Sequence, residues 1–322
     1  MKAPMMVVLS VILVILAALA LFTHSYAAYP ERPIKLIIPW PAGGDTDIIL
    51  RIVANSVQKH LGQPIVPTNI GGASGTKGAG EAKKSAPDGY TLYGVHDYIH
   101  TTYYTGVSDI NYWDFEPICL ATSTQSILTA SAKAPWKSFK EMVEDAKKRP
   151  EQIKVGVTLG SRTHFFPALI AKEAKIKLKY VSYEGTAQRT TALLGGHIDL
   201  GESNLTQHDK VKAGELRFLA IGAEKRHPEI PDVPTLKELG INVTYPTNRG
   251  LMAPKGTPEA VLAKVEEACQ KTAKEPAFIT EMQKQATDVH FLGRKEFATY
   301  LKNLDDSTKA LAEELGLIQV KK

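Results

Sequence analysis

A chain of 322 residues, 43% of them hydrophobic and 23% charged, carries enough apolar side chain for two packed domains. Its formal charge of +5 is spread along the sequence without a basic run, which points weakly to small anionic ligands and away from nucleic acid. The two cysteines, Cys119 and Cys269, lie far apart; an oxidising compartment lets them pair, but their apolar local patterns favour free buried thiols.

The first residues describe a leader. Lys2 supplies a positive start, residues 7–22 are an almost unbroken apolar run, and Ser25-Tyr26-Ala27 sets small residues ahead of a cut before Ala28. An uncleaved membrane anchor is the alternative, since the run is close to the short end of a spanning helix. No cysteine follows the run, which excludes a lipid-anchored form.

Beyond the leader, Ile34 to Ile38 has the β-branched, apolar character of a buried strand, and Pro39 and Pro41 stop it. Gly43-Gly44 permits a tight turn and close approach of backbone to a guest, and Asp45 or Thr46 can cap the helix that follows. That helix carries Ile48, Ile49, Ile52, Val53 and Val57 on one predicted face. Strand, glycine turn and helix start leave free N–H groups above the turn, suited to an anion and most simply a carboxylate. An ordinary strand-to-helix turn without a ligand is the bland alternative. The candidates here are Trp40, Ala42, Gly43, Gly44, Asp45, Thr46 and Asp47.

An edge-type strand at residues 64–67 precedes a second glycine-rich loop at residues 71–80, with Ser74 and Thr76 as candidate ligand contacts. Ala86-Pro87-Asp88-Gly89 is a turn signature, and residues 90–95 form the next predicted strand. This alternation describes a parallel α/β sheet. From Trp136 the order repeats: a helix from Phe139, a strand at 153–157, the turn Gly160-Ser161-Arg162-Thr163-His164, a helix, a strand ending at Tyr183, a helix stopped by Gly195-Gly196, and strands at 198–200 and 216–221. Two α/β lobes of parallel or mixed sheet flanked by helices imply a ligand cleft between them, lined by turns at the carboxyl ends of strands. The divisions are residues 28–126 for the first segment of lobe 1, 127–221 for lobe 2, and 222–322 for the return to lobe 1 with amphipathic terminal helices. Hinge motion is expected near residues 125–130 and 222–250.

Several motifs carry little weight. Ser74-Gly75-Thr76-Lys77 matches the Ser-x-x-Lys of penicillin-recognising enzymes, but the Ser-Asp-Asn and Lys-Thr-Gly partners are missing. Gly75, Gly78 and Gly80 reverse the dinucleotide fingerprint. His96 and His100 stand at a metal-ligand spacing without a third ligand nearby. No catalytic constellation emerges, and no cofactor or metal is expected.

The chain resembles the periplasmic solute receptors of tripartite tricarboxylate transporters, the Bug family. The resemblance runs from Tyr29-Pro30 to Leu317 through Tyr29-Pro30-Glu31-Arg32-Pro33-Ile34, residues 39–47, Ala86-Pro87-Asp88-Gly89-Tyr90-Thr91-Leu92 and Leu193-Leu194-Gly195-Gly196-His197-Ile198-Asp199-Leu200. It continues in Lys212-Ala213-Gly214-Glu215-Leu216-Arg217, Pro231-Asp232-Val233-Pro234-Thr235 and Ala253-Pro254-Lys255-Gly256-Thr257-Pro258. It implies a monomeric, two-lobed receptor of the type II periplasmic binding class, which closes like a flytrap on a carboxylate gripped by two facing turns and passes it to membrane transporter subunits. A sensor that presents its ligand to a two-component signalling receptor is the alternative. In this sequence the second turn is Thr158 to His164, with Gly160, Ser161, Arg162, Thr163 and His164 as candidates, and Tyr183 and Thr186 are implied wall residues. Ser203, before Asn204, replaces the family's common Asp, which weighs against an ammonium-bearing ligand unless Glu202 turns inward. Bulky His96, Asp97 and Tyr98 replace smaller residues, fit to stack on an aromatic acid or to narrow the pocket. Arg162 and Arg249, if they face the cleft, favour a dicarboxylate.

Overall fold

The computed structural model describes residues 29–319. The expected leader, residues 1–27, lies outside them. Lobe 1 opens with β1 (Ile34–Ile38), α1 (Asp45–Leu61), β2 (Ile65–Asn69), α2 (Thr76–Lys84), β3 (Thr91–His96), α3 (Tyr98–Tyr104) and β4 (Phe115–Thr124). Lobe 2 follows as β5 (Ile127–Ser131), α4 (Phe139–Lys148), β6 (Lys154–Val157), α5 (Arg162–Glu173), β7 (Lys179–Ser182), α6 (Gly185–Gly195), β8 (Leu200–Ser203), α7 (His208–Lys212) and β9 (Leu216–Ile221). The chain returns to lobe 1 with β10 (Thr247–Pro254), α8 (Glu259–Ala273), α9 (Pro276–Lys284), β11 (Asp288–Leu292) and α10 (Arg294–Glu314).

The six-stranded sheet of lobe 1 has the order β11-β4-β10-β3-β1-β2, and the five-stranded sheet of lobe 2 the order β7-β6-β8-β5-β9. Parallel pairing expected from the alternating pattern holds for β2, β1 and β3, and for β7, β6 and β8. The other half of each sheet is antiparallel, because β10 arrives from lobe 2 against β3 and β4, and β5 enters lobe 2 against β8 and β9. Pro67 is tolerated in β2 because that strand is an edge, paired on one side only.

Two faces of the first sheet are buried. Leu36 and Ile38 pack with Ile49, Leu50, Val53 and Val57 of α1 and with Val261 and Val265 of α8, while Ile37, Tyr93, Phe115 and Phe297 fill the other side. On α1, Ile48 is exposed and Leu50 buried, which corrects the predicted face; the helix is covered by α8 as well as by the sheet, so its buried arc is rotated. Cys119 and Cys269 are buried free thiols of this core.

Leu128, Val155, Phe166, Leu200 and Leu219 build the second core, joined by Leu236, Ile241 and Val243. The chain therefore stays with lobe 2 well past β9. The two crossings between sheets fall between Thr124 and Ile127 and just before Thr247. A short ladder ties them: Gly222 N–H donates to Ser126 O at 2.8 Å, and Tyr245 N–H to Gly222 O at 3.0 Å. Among the described residues no helix is long and apolar enough to cross a membrane, and no group of three acidic, His or Cys side chains could hold a metal ion.

Gly250 sits at the centre of the first sheet, where β10 runs between β3 and β4 and shifts register just after Arg249. A Cβ there would lie 2.4 Å from the Cys119 carbonyl oxygen and 3.2 Å from Leu120 Cα. Backbone on that side cannot rotate away as a side-chain tip can. Gly250→Ala is expected to cost about 1–3 kcal/mol by overpacking, read as a lower midpoint in urea unfolding with an unchanged slope.

Candidate functional site

Three helices begin at one cavity between the lobes. Its lining includes Gly44, Asp45 and Thr46 at the start of α1, Ser161, Arg162 and Thr163 at the start of α5, and Glu184, Gly185, Thr186 and Ala187 at the start of α6. First-turn N–H groups have no carbonyl four residues back, and each helix adds the equivalent of about half a positive charge at that end. The cavity volume is about 40 Å³, room for about three waters.

Local chemistry sets each turn. Gly43 takes φ +79°, and its N–H donates to Asp47 Oδ2 at 2.9 Å. Asp47 Oδ1 accepts from Arg51 Nε and Asn69 Nδ2, both at 2.8 Å, and Asn69 Nδ2 also donates to the Trp40 carbonyl at 2.9 Å. Asp47 thus anchors the turn from behind. Neither Asp45 nor Thr46 caps α1; Gly44 is the cap, which frees the Asp45 side chain for the cleft. Across the cleft Ser161 caps α5, its Oγ accepting from Thr163 N–H at 3.3 Å, and Thr163 Oγ1 accepts from Thr158 N–H at 2.9 Å. Thr158 Oγ1 donates to Tyr183 O at 2.7 Å, holding the start of α6 beside the start of α5.

Arg162 and Arg249 both face inward, 4% and 0% exposed, but neither is a free cation. Arg249 Nη2 donates to Asp45 Oδ2 at 2.8 Å, its Nε to Thr46 Oγ1 at 3.0 Å and its Nη1 to Thr124 Oγ1 at 2.8 Å. Arg162 Nη1 stands 3.8 Å from Asp97 Oδ2, its Nε donates to Thr247 Oγ1 at 2.9 Å, its Nη2 bonds the Tyr245 carbonyl, and its guanidinium lies 3.7 Å from the centre of the Tyr245 ring. A third arginine, Arg189, was not singled out from the sequence. It is 2% exposed and donates through Nη2 to Glu202 Oε2 at 3.2 Å. Its one sequence signal is its position three residues after Thr186, on the same helical face as the Tyr183-Glu184-Gly185-Thr186 corner. Glu202 does turn inward, but Arg189 neutralises it and Ser126 Oγ donates to its Oε1 at 3.0 Å.

Trp40 and His96 form one wall, their rings stacked at 5.2 Å and 11°. Among the cavity-lining residues, Trp40 Nε1 and Arg189 Nε are buried donors without a partner, and Glu184 Oε2 is a buried acceptor without one.

Other expected residues lie off the cavity. Ala42 and Gly43 are exposed on the outer side of their turn. Ser74 clasps the lobes, its Oγ donating to Leu159 O at 2.9 Å and its N–H to Glu184 Oε1 at 3.1 Å, while Thr76 Oγ1 satisfies Ala73 O at 2.8 Å. Asp97 sits behind Arg162, accepting from Asn248 N–H at 3.1 Å and Tyr300 OH at 2.9 Å. Tyr98 is core: its OH bonds Tyr93 OH and donates to Gly75 O at 3.1 Å. Gly160 O accepts from Thr105 Oγ1 of lobe 1 at 3.3 Å, and His164 packs edge-on against Tyr180. Tyr183 packs against the lobe 2 cluster of Leu193 and Ile198. Ser203 Oγ is engaged by Thr129 Oγ1 at 2.5 Å, and Asn204 reaches the cleft only through Nδ2, which donates to Asp45 Oδ2 at 3.0 Å.

Burial opposes every charge here, and the neighbours decide the sign. Burial alone would raise the Asp45 carboxyl; Arg249 and the Thr186 hydroxyl outweigh it and hold Asp45 below the usual carboxylate range. For Asp97 and Glu202 burial prevails over Arg162 and Arg189, and both are raised. Burial, then Arg249 and Arg162, drives His96 well below its ordinary value, so it is neutral in the cleft.

The family model described as "Tripartite tricarboxylate transporter family receptor" matches residues 49–317. The "UPF0065 protein in gbd 5'region" of Cupriavidus necator is 33% identical over 297 residues, which are 90% of this chain and 89% of that one. The structure of the periplasmic binding protein BugD superposes with a TM-score of 0.84 at 29% identity, covering 90% of this chain and 99% of that chain. MatC from Rhodopseudomonas palustris with bound malate superposes with a TM-score of 0.82 at 26% identity, covering 88% and 99%.

Neutral His96 has a measurable cost in acid. Its folded-state value is depressed, so below about pH 6.5 the unfolded chain takes up a proton that the folded chain refuses, and stability falls as pH falls. Between about pH 7 and 5.5 wild type is expected to lose roughly 1 kcal/mol more than His96→Gln, measured by urea unfolding at the two pH values.

Proposed function

We propose a function from the premise that this chain belongs to the tripartite tricarboxylate transporter receptor family: it is a periplasmic receptor that shuts two lobes on a small organic carboxylate and presents it to integral-membrane transporter subunits. One observation carries the choice of ligand. Three helix N-termini meet at the cavity, beside the unpartnered donors Trp40 Nε1 and Arg189 Nε. Charge balance alone does not favour an anion, since Arg162, Arg189 and Arg249 each face an acid and Glu184 adds a further carboxylate; the helix ends and the two unpartnered donors do.

The ligand is a dicarboxylate or an aromatic acid. Malate in the MatC structure supports the first, and the stacked Trp40–His96 wall suits the second. The lobes part to admit the ligand about the ladder at Ser126, Gly222 and Tyr245. The contacts that line the cleft between them are polar, with one apolar cluster at Phe165, Tyr104 and Ala312 beside it, a small interface suited to reversible capture. The receptor holds its ligand without transforming it.

Calorimetry with malate, succinate, adipate, benzoate and a set of amino acids tests this. At least one non-amino acid is expected to bind and to be recovered unchanged by NMR after incubation. Trp40→Phe keeps an aromatic ring in the wall and removes the N–H donor, and is expected to weaken that ligand about tenfold, the worth of one hydrogen bond to a charged group. Silence across the panel, or turnover of the ligand, would refute the assignment.

A further inference from the structure

Asp45 is the residue in the cleft that least resembles a receptor surface waiting for a carboxylate, because it already is one. Its carboxylate lines the cavity and gathers three donors from three elements. Thr186 Oγ1 of α6 donates to Oδ1 at 2.5 Å, Asn204 Nδ2 after β8 donates to Oδ2 at 3.0 Å, and Arg249 Nη2 of β10 donates to Oδ2 at 2.8 Å. Thr186 and Asn204 belong to lobe 2, whereas Asp45 and Arg249 belong to lobe 1. An arginine, a hydroxyl and an amide converging on two oxygens are the complement of a carboxylate, whether that carboxylate is tethered or free.

The other nitrogens of Arg249 are committed, Nε to Thr46 and Nη1 to Thr124, so Nη2 is the position from which this guanidinium meets an anion. Arg189 reinforces the set, donating through Nη2 to Thr186 Oγ1 at 3.3 Å.

Resting on the receptor function argued above, we propose that Asp45 is a tethered competitor: its side chain holds, from within, the donors that a ligand carboxylate takes. Attachment to α1 gives this internal anion a high effective concentration, so an incoming carboxylate must outbid it for Arg249, Thr186 and Asn204. Affinity for small acids is thereby lowered, and the outgoing ligand is replaced at once by Asp45, which keeps Arg249 from being left buried and unpaired on release. Asp45 also selects among ligands, because one that displaces it must bring its own anionic group to the same donors.

The test uses acetate as a minimal free carboxylate, and malate as a dicarboxylate, on the purified receptor and its Asp45→Ala and Asp45→Asn variants. Asp45→Ala empties the donor set. Acetate at about 50 mM is expected to raise its melting temperature by about 3 °C or more, and to leave wild type level with a matched chloride control. Malate is expected to bind both variants at least about tenfold more tightly than wild type. Asp45→Asn keeps the volume without the charge, and it decides through malate if the alanine variant does not fold. Equal acetate shifts in wild type and Asp45→Ala, or malate bound no more tightly by the variants, would overturn the proposal. If wild type binds no carboxylate while acetate still rescues Asp45→Ala, the competitor stands and the receptor function for small carboxylates fails. If wild type binds malate and the variants match it, the competitor alone is lost.

Discussion

Three guanidinium groups buried in one cleft are the constraint on which the site depends. None can be deprotonated, and an unpaired buried cation costs several kcal/mol after relaxation. The structure answers each with an acid: Asp45 for Arg249, Asp97 for Arg162 and Glu202 for Arg189. Arg162–Asp97 joins the two lobes, and Asp45 carries its own arginine to Thr186 and Asn204 across the cleft, so charge compensation and lobe closure share these contacts, whereas Arg189–Glu202 lies within lobe 2. The three arginines are therefore spoken for, Glu184 adds a further carboxylate to the lining, and any preference for an anion comes from oriented backbone at three helix starts.

Around that centre the lobes meet largely through polar groups, with one apolar cluster at Tyr104, Phe165 and Ala312. Ser74, held at φ +55°, reaches Leu159 and Glu184, and Thr105 reaches Gly160. A left-handed backbone at a residue with a side chain costs roughly 1–2 kcal/mol, and here it aims both the N–H and the hydroxyl of Ser74 over the mouth of the cleft. The two large apolar cores stay within each lobe, and one smaller cluster bridges them, Phe165 of α5 packing with Tyr104 of α3 and Ala312 of α10, so parting the lobes exposes mainly hydrogen-bonding groups at the cleft and this one apolar contact beside it.

Much of this was legible in the sequence. The strand, glycine turn and helix at residues 34–61 declare themselves through Pro39, Pro41 and Gly43-Gly44, and the same order around Gly160-Ser161 marks the opposing turn. Those are local signals, set by φ values and by helix starts. What escaped was pairing. Asp45 and Arg249 lie 204 residues apart, and no periodicity relates them, so Arg249 reads as a free cation until the fold supplies its partner. Arg189 stands alone among the charged residues of its helix, and its spacing from Thr186 is the one signal that sets it apart from a surface arginine. Tyr98 looked like a cleft wall because it follows His96, yet helix α3 starts at Tyr98 and carries its ring into the core against Tyr93.

The place of β10 has a consequence for how the molecule is made. That strand lies between β3 and β4, so the sheet of lobe 1 is two separate pieces until residues 247–254 have been delivered. Lobe 2 is contiguous and can form as soon as its own strands emerge, whereas lobe 1 must wait with unpaired edges for a segment that comes after the whole of its neighbour. Long-range pairing of this kind is slow and leaves strand edges open to other chains. The strand that joins the two pieces is also the one that carries Arg249, so Asp45 gains its arginine only when β10 is in place.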